Sequence, residues 1–316
     1  MTKAYGFSAY GGTDTQDWFD LPDPTPGANE VLVRVKAVGV NAVDWKIRQG
    51  YMADPEAAGL DTAFPQVLGV EAAGVVEAVG ADVDGLAVGD EVFGSAAAGH
   101  GTYAELAVLD ASATVRKPVQ VGFDAAAALP VSALTAYAAV QQLDLAEGQT
   151  LLVTAAAGSV GVALLQLARD RGVAVFGVAS EAKRPMVESL GAVLVPYDGE
   201  RDVVTQMRDL LPGGVDAVVD LVGGDTLQQV AVLVKTPSGI LSAVEPAVAD
   251  LGGAEITHDR PAAWLTALAQ LVAEDKLDPK ITDRYPFDEA PQALAAVESG
   301  HSLGKVVIDL GQATRT

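Results

Sequence analysis

Residues Ala155–Gly161, AAAGSVG, follow a run of β-forming residues and open a stretch with helical spacing. Against the pattern G-x-G-x-x-G, Ala156, Gly158 and Gly161 take the three glycine places, with alanine in the first. Without a side chain at Gly158 the backbone can approach a pyrophosphate. The amides of Ser159 and Val160 would face that anion at a helix N-terminus, and Gly161 lets helix and strand pack closely. An ordinary strand-to-helix turn fits the same seven residues, so the motif needs its context. Selectivity between dinucleotides is usually written about 20 residues further on, where an acid grips the ribose diol of NAD. Here the chain reads Ala179 and Ser180, with Lys183 and Arg184 one turn later. A small hydroxyl followed by two cations suits a 2′-phosphate, whose charge they would neutralise. Glu181 argues the other way, and Lys183 and Arg184 equally suit a solvated first turn. The cofactor expected is NADPH.

Other chemistries find less support. The three histidines, His100, His258 and His301, are far apart and have no metal-ligand spacing. The chain has no cysteine, which removes disulfides, thiol nucleophiles, iron–sulfur clusters and cysteine-containing zinc sites. With 20 Lys and Arg against 42 Asp and Glu, the net charge of −22 repels phosphate backbones and anionic lipid. Nucleic acid and membrane are not expected partners. The first residues, MTKAYGFSAYGGTD, lack the apolar run of a signal peptide, and a reducing cytoplasm suits a cysteine-free chain. Two uncharged stretches, Ala125–Leu143 and Leu151–Ala168, approach the length of a membrane span. Pro130 and several polar residues interrupt the first, and Gly158, Ser159 and Gly161 the second.

At 316 residues, and roughly 150 residues per domain, two domains are expected. The first third is β-rich: Glu30–Val40, Ala72–Gly80, Gly89–Gly94 and Thr102–Leu109 are short β-forming runs set off by turn residues, with LPDPTPG as a connector. After about Phe123 alanine-rich helical segments alternate with six apolar runs, Thr150–Ala156, Val173–Ala179, Ala192–Pro196, Ala217–Val222, Gly239–Val244 and Ala254–His258. That alternation predicts a doubly wound parallel sheet of Rossmann type. A helix with Trp264, Leu268 and Leu271 follows, then a turn-rich stretch with Pro279, Pro286 and Pro291, a short helix and a last strand, Lys305–Leu310. The fold class expected is α/β, with residues 1–123 and 260–316 forming a β-rich domain and 124–259 a Rossmann domain.

With these residues in place the chain resembles the zinc-independent quinone oxidoreductase branch of the medium-chain dehydrogenase/reductase superfamily, and is similar to zeta-crystallin. The markers run nearly end to end: VGVNAVDWKIRQG (Val38–Gly50), LGVEAAGVVEAVG (Leu68–Gly80), GDEVFG, ALPVSALTAY (Ala128–Tyr137), AAAGSVG, ESLGA (Glu188–Ala192) and GKVV (Gly304–Val307). The resemblance implies a GroES-like catalytic domain built from both chain ends, an inserted Rossmann domain, and an active cleft where the two meet. Where zinc alcohol dehydrogenases of the superfamily carry a catalytic cysteine this chain has Asn41, and where they carry the histidine of G-H-E it has Val70 before Glu71. Glu71 alone makes no metal site, so no metal is expected.

The resemblance then assigns roles. Hydride from NADPH would reduce a quinone or an α,β-unsaturated carbonyl, and the resulting oxyanion or enolate needs hydrogen-bond donors and a proton. Asn41 would lie near the nicotinamide and the substrate oxygen, or else simply close a turn. Asp44 is read as a helix cap. Lys46 is a candidate proton donor or oxyanion partner, with a surface lysine as the alternative. Tyr51 would close the pocket, donate its hydroxyl, or pack at the rim. Loops such as Tyr51–Phe64 would supply the substrate wall. Thr135 would lie beside the nicotinamide carboxamide or bond its own helical turn. Further cofactor contacts are implied at Tyr197, Val222, Gly223, Ser242, Val244 and Lys305. The alternatives are an enoyl-thioester reductase, which the acidic charge disfavours, and a non-enzymatic NADPH-binding sensor or structural protein. A homodimer is expected, paired through the edge strand AEITH (Ala254–His258).

Overall fold

The computed structural model describes residues 1–51 and 64–311. These divide into two compact units, one drawn from Met1–Val131, Pro261–Asp275 and Ile281–Thr316, the other from Ser132–Arg260 and Lys276–Lys280.

The first unit opens with β1 (Thr2–Phe7), β2 (Gln16–Leu21), β3 (Glu30–Val40), β4 (Gln66–Val67), β5 (Glu71–Val79), β6 (Glu91–Ala96) and β7 (Leu106–Arg116). β2, β1 and β4 form a small antiparallel sheet. β3, β5, β6 and β7 pair in that order, and β7 pairs back onto β3, so the four close on themselves. In β3 the side chains of Val31, Val33, Val35 and Ala37 alternate inward, and from Ala37 to Val40 every residue is buried. The strand thus leaves the rim of the ring as a half-buried ribbon and ends inside the unit. There α1 (Ala42–Arg48) begins at Asn41, whose backbone amide donates to Asp44 Oδ2 at 2.8 Å. A short helix, α2 (Phe123–Ala127), packs on β3 and β5.

In the second unit the helix α3 (Leu134–Leu143) precedes β8 (Thr150–Val153), α4 (Ser159–Asp170), β9 (Ala174–Ala179), α5 (Arg184–Ser189), β10 (Val193–Pro196), α6 (Val203–Leu210), β11 (Ala217–Asp220), α7 (Gly224–Ala231), β12 (Ile240–Ser242) and β13 (Ala254–Glu255). The sheet runs β10-β9-β8-β11-β12-β13 with every pairing parallel. Counted within the unit this is 3-2-1-4-5-6, the dinucleotide-binding order, whose reversal lies between β8 and β11. Central strands buried on both faces read as continuous apolar runs, as TLLV does in β8.

The chain then supplies the first unit with α8 (Ala262–Ala273), β14 (Ile281–Pro286), α9 (Ala290–Glu298) and β15 (Lys305–Asp309). β15 lies antiparallel to the end of β3, placing Val306 opposite Val40. The mixed α/β class is as the sequence predicts, with corrections in the details. β14, within the stretch read as turn-rich, is an edge strand parallel to β15, and an edge tolerates Pro286 because one side of its ladder is open. The segment read as a strand from Thr102 begins its ladder only at Leu106. Before that, the Thr102 and Tyr103 amides both donate to the Leu68 carbonyl. β1 and β2 have no counterpart in the reading above, because their glycine- and polar-rich sequences lack clear alternation. Among the described residues no helix is long and apolar enough to cross a membrane.

Candidate functional site

In the second unit the carboxyl ends of the strands gather the nucleotide-binding candidates. Gly158 is the N-cap of α4, and Ser159 and Val160 are its first two residues, whose amides have no acceptor within the helix. Gly161 is required by space: a Cβ there would lie 2.5 Å from the Ala156 carbonyl oxygen. Ala156 is buried, and its amide donates to the Val178 carbonyl at 3.1 Å.

Ser180 follows β9 and caps the turn that carries Lys183. Lys183 is half-buried, and burial lowers its ammonium below the ordinary lysine range. Arg184 is differently placed. Its guanidinium holds both oxygens of Glu181, at 2.6 and 2.8 Å, and Glu188 at 2.6 Å. The acid that opposes the NADPH reading is therefore ion-paired, and so is one of the two cations that favour it.

Asp220, at the end of β11, organises three of these strand ends, and sequence reasoning does not single it out. Its carboxylate is fully buried and accepts Thr154 Oγ1, Ser242 Oγ and the amides of Val222 and Gly223, at 2.9 to 3.2 Å. Ser242 Oγ in turn accepts the amides of Val244 and Glu245, and Thr154 Oγ1 accepts that of Leu221. One buried charge thus fixes the loops after β8, β11 and β12, and its hydrogen bonds are those a carboxylate needs when it is removed from water. Val222 and Val244 in these loops, and Tyr197 after β10 at the far side of the sheet, are exposed apolar side chains at the strand ends. These open strand ends and the capped helix fit a dinucleotide. Thr135, in the first turn of α3, accepts Arg260 Nη1 at 2.9 Å, and Arg260 is a second residue that sequence reasoning does not select. Burial lowers its pKa.

In the first unit a buried polar cluster surrounds Asn41. Lys305 Nζ donates to Asn41 Oδ1 at 2.5 Å and to Glu71 Oε1 at 2.7 Å. Asn41 Nδ2 donates to Glu71 Oε1 at 2.7 Å and to the Gly39 carbonyl at 3.2 Å. Glu71 Oε2 accepts the Val131 amide at 2.7 Å. On the other side of Asn41, Asp44 Oδ2 also accepts the Tyr103 hydroxyl at 2.9 Å. Burial raises the Asp44 carboxyl to about 7, against the lowering effect of the hydrogen bonds from Asn41 and Tyr103 and of the Lys305 charge. Burial and the neighbouring Asp44 push the Tyr103 phenol well above its ordinary value.

The two Nδ2 hydrogens of Asn41 are used inside the unit, so the geometry does not present the expected donor to a substrate oxygen. Lys305 is almost completely buried and its ammonium faces Asn41 and Glu71. Lys46 is half-buried on α1 with its ammonium 5.7 Å above the Trp45 ring. Tyr51 is 71% exposed, and residues 52–63 of the expected substrate wall lie outside the described residues.

The family description "Alcohol dehydrogenase GroES-like domain" matches residues 27–119, and "Zinc-binding dehydrogenase" matches 190–308. The 2-methylene-furan-3-one reductase of Solanum lycopersicum is 31% identical over 322 residues, 97% of this chain and 78% of that protein. The quinone oxidoreductase from Coxiella burnetii superposes with a TM-score of 0.89 at 30% identity, over 98% of this chain and 99% of that one. This chain belongs to the zinc-independent quinone oxidoreductase branch of the medium-chain dehydrogenases/reductases. Within that family a mycobacterial protein solved as a complex with NADPH superposes with a TM-score of 0.83 at 27% identity, over 98% of this chain and 100% of that one. The spectinabilin polyketide synthase system protein NorB of Streptomyces orinoci is 32% identical over 320 residues. That match takes in 95% of this chain, which spans 14% of NorB. The zinc of the second family description does not suit the residues here. Among the described residues no group of three or more His, Cys, Asp or Glu could hold a metal, and the ammonium beside Glu71 opposes a second cation.

Proposed function

We propose that the protein is an NADPH-dependent oxidoreductase that reduces a quinone or an α,β-unsaturated carbonyl. The observation that carries the reading is the parallel sheet in dinucleotide-binding order, with Gly158 capping α4 at the end of its first strand. Relatives named for quinone oxidation–reduction and for enone reduction, and a neighbour solved with NADPH, support it.

NADPH, when bound, supplies a hydride. The chain's own residues do the rest. The amides of Ser159 and Val160 and the N-terminus of α4 hold the pyrophosphate, and Ser180 with Lys183 receives the 2′-phosphate. Tyr197, Val222 and Val244 line the dinucleotide at the strand ends, Gly223 and the buried Ser242 hold the loops that carry Val222 and Val244, and Thr135 orients the carboxamide. Ala156 and Gly161 shape the turn. Asn41 is the residue of the first unit assigned to the nicotinamide, and Lys305 holds its carboxamide oxygen. Lys46 or Tyr51 meets the substrate oxygen or delivers the proton.

The protein is further read as a cytoplasmic homodimer, with the exposed edge strand β13 as the surface that pairs with its twin. A second reading, an enoyl-thioester reductase, draws on the likeness to the solved CurK enoyl reductase, with a TM-score of 0.84 at 28% identity over 98% of this chain.

The test is NADPH and NADH consumption by chelator-treated protein offered a simple quinone, a conjugated enone and a crotonyl thioester. Turnover of the quinone or enone that favours NADPH is expected. Turnover of the thioester alone would replace the first reading with the second. NADPH binding without turnover of any of them would leave a cofactor-binding protein and overturn the enzymatic reading.

A further inference from the structure

The carboxamide of Asn41 lies between opposite charges. Its oxygen accepts from the Lys305 ammonium and its nitrogen donates to the Glu71 carboxylate. Turning the amide over would set NH2 against the ammonium and the oxygen against the carboxylate, two contacts between groups of the same kind. The pair of charges therefore dictates which end of the amide points where.

The carboxylate itself has no latitude. Glu71 is fully buried, Oε2 is held by the Val131 amide, and Oε1 fills the space beside Gly39, where a Cβ would lie 2.1 Å from it. On its other flank the backbone amide of Asn41 is fixed by Asp44. A buried ion pair adds little to stability, because desolvation offsets the attraction, and apolar residues of similar size often replace such pairs without loss. What Lys305 and Glu71 supply that an apolar pair could not is direction.

We propose that Lys305 and Glu71 are positioning residues, whose opposite charges fix the polarity of the Asn41 carboxamide and commit both of its Nδ2 hydrogens inside the first unit. The Asn41 carboxamide then keeps one orientation, and the donor to the substrate oxygen is another group. This inference rests on the assignment of Asn41 to the nicotinamide side.

Removing either partner alone strands the other charge in the core, so the informative variant is the double, Glu71→Gln/Lys305→Met. Glu71→Gln/Lys305→Gln, which keeps an acceptor for Val131 and removes both charges together, serves as the second variant if the first double does not fold. In 15N-labelled protein without cofactor, the Asn41 side-chain NH2 signals are identified by their loss in Asn41→Ala. We expect their exchange with solvent to be at least tenfold faster in the variants, and kcat with NADPH and a simple quinone to fall at least tenfold while the folded circular dichroism spectrum is retained. Unchanged amide exchange would overturn the clamp. A freed amide with unchanged kcat, while Asn41→Ala lowers kcat, would overturn the positioning role. If Asn41→Ala itself leaves kcat and NADPH affinity unchanged, the assignment of Asn41 fails, and amide exchange still decides the clamp.

Discussion

The methyl group of Ala156 rests against the bare α-carbon of Gly177: a Cβ at position 177 would lie 2.8 Å from it and 3.0 Å from Val187 Cγ1. The alanine in the first glycine place of the motif is thus accommodated by a glycine in the neighbouring strand β9. Gly177→Ala should cost ~1–3 kcal/mol, the usual penalty for overpacking a tight core. Ala156→Gly/Gly177→Ala should recover most of that loss. Urea denaturation of the two single variants and the double gives the coupling directly, and independent, additive effects would show that the two residues do not compensate.

Asn41→Ala should lower turnover more than cofactor affinity. The side chain is buried in its own unit and makes its hydrogen bonds there, so its loss disturbs orientation before it disturbs binding. A fall of about tenfold in kcat, equivalent to ~1.4 kcal/mol in the barrier, with an NADPH dissociation constant changed less than threefold, is the expected pattern. Weakened NADPH affinity with kcat unchanged would place Asn41 in binding alone.

Asp220 gathers four hydrogen-bond donors at the ends of β8, β11 and β12. Asp220→Ala leaves those donors without an acceptor, and stranded buried groups cost ~1–3 kcal/mol each when nothing replaces the partner. The variant should be destabilised by several kcal/mol and bind NADPH more weakly, since the loops that carry Val222 and Val244 lose their anchor. Asp220→Asn keeps two acceptor lone pairs and should lie between the wild type and Asp220→Ala. Thermal unfolding with and without NADPH separates the two effects. A stable Asp220→Ala variant with wild-type affinity would deny Asp220 its organising role.

The nucleotide half of this arrangement is legible in the sequence because it depends on local signals. AAAGSVG needs only its own seven residues and the strand before it, and the six apolar runs name the parallel strands in order. Asp220 is not legible, because a carboxylate at the end of a buried strand reads as a turn residue until its four donors, from three separate segments, are seen together. The same holds for Glu71. In the sequence it is a lone acid, yet its partner Lys305 is 234 positions away and reaches it only because β15 pairs with the end of β3. β14 is hidden by Pro286, its last residue, and by Pro279 and Pro291 on either side, since an edge strand tolerates a proline.

Lys183 and Arg184, adjacent in the sequence, should behave differently. Glu181 and Glu188 hold the Arg184 guanidinium, and burial lowers the Lys183 ammonium, a cost that an incoming 2′-phosphate offsets. Lys183→Ala should weaken NADPH binding by about tenfold, ~1.4 kcal/mol, and spare NADH. Arg184→Ala should change NADPH affinity less than threefold. It also releases Glu181, so NADH affinity should rise rather than fall. Titration of both variants with both cofactors checks this, and a larger effect of Arg184→Ala on NADPH would reverse the assignment.

Asp44 gives the protein a pH dependence of definite sign. Its carboxyl is fully buried, Oδ1 has no hydrogen-bond partner among the described residues, and burial raises its pKa to about 7, against ~3.9 in an unfolded chain. Between those values the folded protein keeps a proton that the unfolded chain has released. The contribution of Asp44 to stability is therefore complete below about pH 4 and is lost as the pH rises through about 7. Other carboxylates titrate in the same range, so the clean observable is the difference from Asp44→Asn, which cannot ionise. Relative to wild type, that variant should gain on the order of 3 kcal/mol between pH 4 and pH 8, whatever its offset at low pH. Urea denaturation at a series of pH values measures the difference. A constant offset would mean that Asp44 stays ionised in the folded protein, and that the Lys305 charge and the donors at Oδ2 outweigh the effect of burial.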